Sequence, residues 1–321
     1  MTATPEKTSD SSPRIILEPS VYLVGTQTIN RAELDRFMAD NEYPEWSTDT
    51  EVAGEELAEV AGRVCYRSFF VKRPGGNKAY IDHVLEVAHN SVIEHAAYNF
   101  LLAGISRSLS HELVRHRIAS FSQLSQRYVD ESDCAFVVPP DLRLEVESAL
   151  YMEAVSGRWD GDVLVPGMSE AEGNSRWPAV AALAAKDIQA YYDATDVGED
   201  WLQTVGNAHA GYCRLVDHLV GKAKASRPDL SNTDARKYAR QAARSVLPNA
   251  TETQIFVTMN ARSLRHFLKM RVSRFADAEI RRAAYQMYLL VRDHSAHIFG
   301  DFTETVLEDG SVEISTPNHE A

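Results

Sequence analysis

The chain has 321 residues, with 33 lysines and arginines against 46 aspartates and glutamates, a formal charge of −13. That acidic balance speaks against a general nucleic-acid binder, whose affinity comes mostly from neutralising many phosphates with a basic excess. The apolar fraction of 44% is ordinary for a globular protein, no apolar run approaches the roughly 20 residues that span a bilayer, and the three scattered cysteines form neither a CxxC pair nor a disulfide frame.

Residues 1–14, MTATPEKTSDSSPR, lack the apolar core of a secretory signal and read as a disordered tail, so a soluble cytoplasmic protein is expected. Ile15 to Ile29 holds β-rich pieces around a glycine break, consistent with a first strand or hairpin. Between residues 50 and 68, Leu57, Val60, Ala61 and Val64 recur at helical spacing, and Cys65 on that helix reads as a core thiol. Ile81, Val84, Leu85 and Ala88 repeat the pattern in the next helix, and His95 to Leu102 reads as a strand. Ser106 can cap a helix with Leu109 and Leu113 on its apolar face. That helix sets His111 and Arg115 on one side and runs out into a loop or strand.

The stretch 145–204 contains Gly157, Gly161, Pro166, Gly167 and Gly173 and reads as a loop insertion before helical character resumes near Ala179. A helix ends near Asp217 to Val220, and SRPDLSNTD is a linker. Asn232 or Thr233 can cap a further helix through Ser245, which Leu247-Pro248 stops. Gln254 to Met259 is strand-like, a helix follows from Arg262 to Arg271, and Ala278 to Phe299 reads as a long amphipathic helix. The acidic stretch 301–321 is expected to fray in part.

Chemistry concentrates in RHRIASFSQLSQRY, residues 115–128, which gathers Arg115, Arg117 and Arg127 with His116, serine hydroxyls and two glutamines. Guanidinium forks match phosphate oxygens bidentately, and Ser and Gln add neutral hydrogen bonds, a set suited to a nucleotide. Two further basic clusters follow: Arg236, Lys237, Arg240 and Arg244, then Arg262, Arg265, His266, Lys269, Arg271 and Arg274. Three separated basic clusters in an acidic chain suggest a converging site for a small anion; solvated surface charge is the plainer alternative. His89, Glu94 and His95 have no third His or Cys at a usual ligand spacing, so no metal is expected. No GxGxxG fingerprint marks a Rossmann site. His266 reads either as a ligand contact or as a partly buried residue beside Phe267 and Leu268, the first being preferred.

Read together, these elements resemble the flavin-dependent thymidylate synthases. RHR with seven residues before Ser125, then Gln-Arg-Tyr, matches that family's signature. HNSVIEH (89–95), ARQAARSVLP (239–248) and NARSLRHFLKMR (260–271) resemble its other three ordered elements. The resemblance covers about residues 15–130 and 205–300, while the insertion at 145–204 looks additional. It implies an α+β fold of the ThyX type, mixed helices on a largely antiparallel sheet with a helical or loop insertion. One synthase domain would span 15–300, in a homotetramer whose sites are shared between subunits. The implied reaction methylates dUMP to dTMP with FAD as cofactor and NADPH and 5,10-methylenetetrahydrofolate as co-substrates.

By the same resemblance, dUMP is held by Glu112, Arg115, Gln123, Leu124, Ser125, Gln126, Arg127 and Arg271, and by Arg244 from a neighbouring subunit. FAD contacts map to His89, Ser91, Glu94, Arg115, His116, Arg117, Gln123, Asn260, Arg262 and His266. Arg271 matches the residue that polarises the uracil ring and is the expected catalytic group. Many members carry Asn-Glu where this chain has Ser122-Gln123, so a carboxylate charge is missing there. The cysteine-dependent alternative needs an activated thiolate, and no cysteine lies inside a basic cluster. A nucleic-acid-binding protein and a catalytically silent nucleotide-binding relative are the competing readings; no membrane or nucleic-acid partner is expected.

Overall fold

A computed structural model describes residues 14–155, 163–164, 180, 186–308 and 310–318. The tail expected at 1–14 (Arg14 apart) and the glycines of the expected insertion lie outside the described residues. The elements run β1 (Arg14–Ile16), β2 (Ser20–Thr26), α1 (Arg31–Asp40), α2 (Ala53–Tyr66), α3 (Gly76–Glu86), β3 (Ala97–Ser106), α4 (Arg107–Leu113), β4 (Ser120–Gln123), β5 (Ala135–Val137), α5 (Arg143–Val155) and β6 (Val163–Leu164). Then follow α6 (Ile188–Ser226), α7 (Asn232–Ala243), β7 (Glu252–Asn260), α8 (Ala261–Arg271), α9 (Ala278–His294), α10 (Ala296–Phe299), β8 (Thr303–Val306) and β9 (Val312–Ser315). The chain divides into two interleaved units. The first comprises the chain to Ser20, Ala103–His111 and Gln123–Gln254; the second comprises Val21–Leu102, Glu112–Ser122 and Ile255 onward.

In the first unit, β1 lies between β5 and β6 and pairs with both in parallel, Ile15 facing Phe136 on one side and Val163 on the other. This small sheet is parallel, beside the antiparallel pairing expected and found elsewhere in the chain. The partners of β1 lie far downstream, and parallel pairs are joined by long crossovers rather than tight turns. Ile15, Leu17, Phe136 and Val138 pack with Val146, Ala149 and Leu150 of α5 and Leu202 and Val205 of α6. Helix α6 has 39 residues, about 58 Å at 1.5 Å per residue. It begins where the Asp187 carboxylate accepts the Ala190 N–H at 3.0 Å, and it continues past the expected end near 217–220 to Ser226. Gly198 permits close approach to α5: a Cβ there would sit 2.1 Å from the Glu145 carbonyl oxygen. Next, the Ser231 hydroxyl accepts the Asp234 N–H at 3.1 Å and starts α7, one residue ahead of the caps expected.

The second unit holds most of a four-stranded sheet of order β2-β3-β7-β4. Helix α2 forms where its spacing predicts, but with the opposite face inward. Glu55, Glu56, Glu59 and Arg63 are buried, Leu57, Val60 and Ala61 are half-buried, and Val64 and Cys65 are exposed. The core-thiol expectation for Cys65 therefore fails, because Cys65 lies off the buried stripe. Every inward carboxylate is paired. Arg31 grips Glu56 through two nitrogens at 2.7 and 2.8 Å. Glu59 receives Arg63 at 2.8 Å, Asn77 at 2.8 Å and Thr48 at 2.9 Å. Glu55 receives Thr50 at 2.6 Å and the His297 N–H at 2.9 Å. Burial of charge is tolerated only with such partners, and acidic groups in a first turn also meet the positive end of the helix dipole.

The stretch expected to fray instead forms the antiparallel hairpin β8–β9, with Thr303 facing Ser315 and Val306 facing Val312. It is tied down by the Ile314 N–H on the Val272 carbonyl at 2.9 Å and by an Arg274–Glu313 ion pair. The fold is thus a mixture of helix and sheet with antiparallel and parallel pairing. Among the described residues no helix is long and apolar enough to cross a membrane.

Candidate active site

Leu109 and Leu113 bury the inner face of α4, which starts where the Ser106 hydroxyl accepts the Leu109 N–H at 3.0 Å. A 3-10 turn, Val114–His116, prolongs it. The chain then reverses at Arg117, whose φ of 53° and ψ of −41° accompany an Ile118 N–H to His116 carbonyl bond of 2.5 Å. A three-residue turn with positive φ at a non-glycine residue stores about 1–3 kcal/mol of strain, which the surroundings must offset. The reversal presents Arg115, Arg117 and Ile118 to solvent and leaves His116 half-buried.

In the second unit His116 is the hub. Arg271, at the end of α8, donates from Nε to His116 Nε2 at 2.9 Å and from Nη1 to Glu112 Oε2 at 2.6 Å. An Nε2 that accepts a hydrogen bond carries no proton, so the ring is neutral with its proton on Nδ1. Burial, then the adjacent Arg271 and His266, hold the His116 pKa down to about 4, in accord with that tautomer. The ring packs edge-on against Phe267 at 4.9 Å and His266 at 6.4 Å between centroids. Beside it lies a cavity of ≈ 440 Å³ lined by Glu94, His116, Ile118, Met259, Asn260, Arg262, Ser263 and His266. Arg262 meets Glu94 at 2.6 Å across it. Asn260 also caps α8, its Oδ1 accepting the Ser263 N–H at 2.8 Å. Exposed His266 faces this cavity rather than the core.

The first unit gathers the other part of the signature. Gln123 donates from Nε2 to Ser110 Oγ at 2.8 Å and Thr253 Oγ1 at 3.3 Å. The Leu124 N–H bonds the Gln254 carbonyl at 2.9 Å, and its own carbonyl accepts Arg107 Nη2 at 3.0 Å. The Ser125 carbonyl accepts the Tyr128 and Val129 N–H groups at 3.1 and 3.0 Å, closing a turn that contains Gln126 and Arg127. Arg240 donates to the Tyr128 carbonyl at 3.0 Å and pairs with Asp130. Lys237 Nζ lies 4.4 Å from the centre of the Tyr128 ring, and a hydrogen bond from it holds the Tyr128 hydroxyl below its ordinary pKa.

Several expected residues do not assemble as a single patch. Glu94, His116, Asn260, Arg262 and His266 share the cavity; His89, Ser91, Arg115 and Arg117 are exposed and do not line it. His89 instead accepts or donates at Nδ1 with the Tyr66 hydroxyl at 3.0 Å. Nor do the six cations at 262–274 converge. Arg265 faces the core and grips Asp301 at 2.6 and 2.7 Å, while Arg274 pairs with Glu313. Arg262 and His266, four apart, share the cavity-facing side of α8, whereas Arg274 lies beyond the helix end at Arg271. Two charged groups beside the signature, the mostly buried Arg107 and the buried Glu131, were not anticipated. Their only sequence cue is position, just after the cap of α4 and just past the Tyr128 end of the signature.

The family model described as thymidylate synthase complementing protein matches residues 48–295. A flavin-dependent thymidylate synthase of Mycolicibacterium vanbaalenii is 38% identical over 283 residues, 88% of this chain and 92% of that one. Another, of Mycobacteroides abscessus, is 40% identical over 276 residues, 85% of this chain and 89% of its own. A third, of Mycobacterium avium, is 40% identical over 283 residues, covering 88% and 92%. The matched span takes in the signature and its three companion elements, including His116, Arg244 and Arg271, and the chain belongs to the thymidylate synthase complementing protein family, the flavin-dependent thymidylate synthases.

Proposed function

We propose that this chain converts dUMP to dTMP, taking its one-carbon unit from 5,10-methylenetetrahydrofolate and its electrons from NADPH through FAD. The observation that carries this is the Arg271 guanidinium, fixed by Glu112 and His116 one hydrogen bond from a cavity of mixed polar and apolar lining. Such lining suits a flavin: Ile118 and Met259 offer apolar surface to a ring system, and imidazole, amide, guanidinium and hydroxyl groups suit its polar edge and phosphates. Glu94, His116, Asn260, Arg262 and His266 would hold FAD there, with His89, Ser91, Arg115, Arg117 and Gln123 completing its contacts. FAD supplies the hydride when bound and reduced, so no protein nucleophile is required.

The chain's own residues bind, orient and polarise. Arg271 cannot lose its proton, so it stabilises negative charge developing on the uracil ring without proton transfer. Glu112 and Arg115 would complete the ring and ribose contacts, and Arg127 with Arg244 would neutralise the phosphate. Gln123, Leu124, Ser125 and Gln126 would frame the ribose and phosphate with neutral hydrogen bonds. Burial pushes the Cys134 and Cys213 thiols up, away from the thiolate that a cysteine-dependent route needs. We place the reaction in a cytoplasmic homotetramer of the ThyX-type fold, where Arg244 serves a neighbouring subunit's nucleotide.

The test is tritium release from C5-labelled dUMP by the FAD-loaded protein given methylenetetrahydrofolate and NADPH. Release with formation of dTMP is expected. Binding of dUMP without release would leave a catalytically silent relative instead.

A further inference from the structure

Beneath the 124–128 segment lies a buried set of charges that no role above uses. Glu131 is 3% exposed, and among the described residues its Oε1 has no hydrogen-bond partner. The closest cation to that oxygen is Arg107 Nη2, at 3.8 Å. That same Nη2 donates to the Leu124 carbonyl at 3.0 Å, so one guanidinium faces both the carboxylate and the backbone of the nucleotide segment. Arg107 is itself mostly buried, and the Arg244 charge lies close enough to oppose it.

The other groups facing Glu131 come from every neighbouring element. Glu252 on β7 has a carboxylate that accepts the Gly104 N–H at 3.0 Å. Asp130, beside it in sequence, pairs with Arg240 of α7. The Tyr212 hydroxyl of α6 accepts the Glu131 N–H at 3.3 Å, and the Cys134 thiol lies nearby. Arg107, Arg240 and Arg244 therefore stand against Glu131, Glu252 and Asp130, a balance of charge that holds only while Glu131 is ionised. Burial above all, with Glu252 and Asp130 adding to it and Arg107 and Arg240 opposing, pushes the Glu131 carboxyl up to about 7. A neighbouring dianion disfavours the ionised form of a carboxyl further.

We propose that Glu131 is a positioning residue that couples nucleotide binding to a proton. Ionised, it occupies the Arg107 charge beneath the nucleotide segment. It takes a proton from solvent when the phosphate binds, and the arginine charge is then left to the anion. This rests on the assignment of dUMP to the 123–127 segment.

The experiment is calorimetric titration of the FAD-loaded protein with dUMP, in phosphate-free buffers of low and high ionisation enthalpy, from pH 6 to 8.5. Near pH 7.5 the nucleotide phosphate is already a dianion, its second pKa being about 6, so net proton uptake there reports on the protein. The wild type is expected to take up a fraction of a proton at pH 7.5 and almost none at pH 6. Glu131→Gln should take up none. It should also bind dUMP more tightly than wild type at pH 8.5, by about tenfold for each unit by which the anion raises the Glu131 pKa. The two affinities should converge at pH 6. A merely structural role would shift affinity equally at every pH. Uptake that is absent from wild type, or unchanged in Glu131→Gln, overturns the proposal while leaving the enzyme assignment intact. If the variant does not fold, the wild-type proton count alone decides. Failure of dUMP to bind at any pH overturns the assignment and this inference with it.

Discussion

Replacing Arg271 with alanine separates its chemical from its structural contribution. The side chain makes two polar contacts, Nη1 to Glu112 at 2.6 Å and Nε to His116 at 2.9 Å. Side-chain exposures of 22% and 43% make the ion pair a partly solvated one, worth at most about 1 kcal/mol, and the bond to a neutral imidazole adds about 1 kcal/mol. Loss of both lowers stability by about 1–2 kcal/mol, a shift of only a few degrees in Tm for a chain of this size. Removing a charge-stabilising donor from a reacting centre costs far more, about 10²–10³ in kcat or about 2.7–4 kcal/mol. Arg271→Ala is therefore expected to keep its visible flavin absorbance and most of its thermal stability while kcat falls by about two to three orders of magnitude. Arg271→Lys should fall between, since lysine keeps the charge but cannot span Glu112 and His116 as a planar fork. Stopped assays of dTMP formation at saturating dUMP, beside flavin content and a melt of each variant, measure all three quantities. Near-normal turnover in Arg271→Ala would refute the catalytic role. Loss of fold would show that the guanidinium is a structural strut.

Arg127→Ala should weaken dUMP binding by about tenfold or more, the worth of a charge-assisted phosphate contact; an unchanged dissociation constant by titration contradicts the placement. His116 makes stability depend on pH. Its native pKa of about 4 lies below the ordinary 6.5, so the unfolded state binds more protons between those values and stability rises with pH across that window. The ceiling is about 3 kcal/mol, which solvent screening of a half-buried ring reduces to about 1–2 kcal/mol. Denaturant titrations at pH 4.5 and 6.5 should show a steeper gain in wild type than in His116→Gln, and equal slopes would refute this. Arg265 is 1% exposed and grips Asp301 through two nitrogens. Arg265→Ala should thus cost about 3–5 kcal/mol by leaving a mostly buried carboxylate unpaired, with dUMP affinity unchanged in whatever fraction folds. A loss under 1 kcal/mol by urea unfolding would contradict it.

Local signals were legible wherever a single element decides the outcome. Ser106 caps α4, Leu109 and Leu113 bury its inner face, and α8 occupies almost the range its sequence marks. The signature was legible for the same reason, because residues 115–128 are contiguous and chemically unusual. Hidden from sequence was everything set by long-range pairing. Glu55, Glu56 and Glu59 lie off the apolar stripe that the spacing picks out, and are buried because Arg31, Thr48 and His297 arrive from elsewhere in the chain. Arg265 read as part of an anion site because Asp301, its partner, lies 36 positions away. The parallel pairing of β1 depends on strands more than a hundred residues on, and the need for glycine at position 198 comes from the close approach of α5. Glu131 gave no cue beyond its place just past the signature, since its meaning comes from Arg107, Glu252 and Tyr212 folding around it.

The most direct measurement is the visible spectrum of the purified protein, recorded with and without dUMP. A flavin-dependent thymidylate synthase gives a yellow protein whose flavin bands shift as dUMP enters beside the ring. A protein that remains colourless after incubation with FAD, or whose flavin bands ignore saturating dUMP, contradicts the shared site.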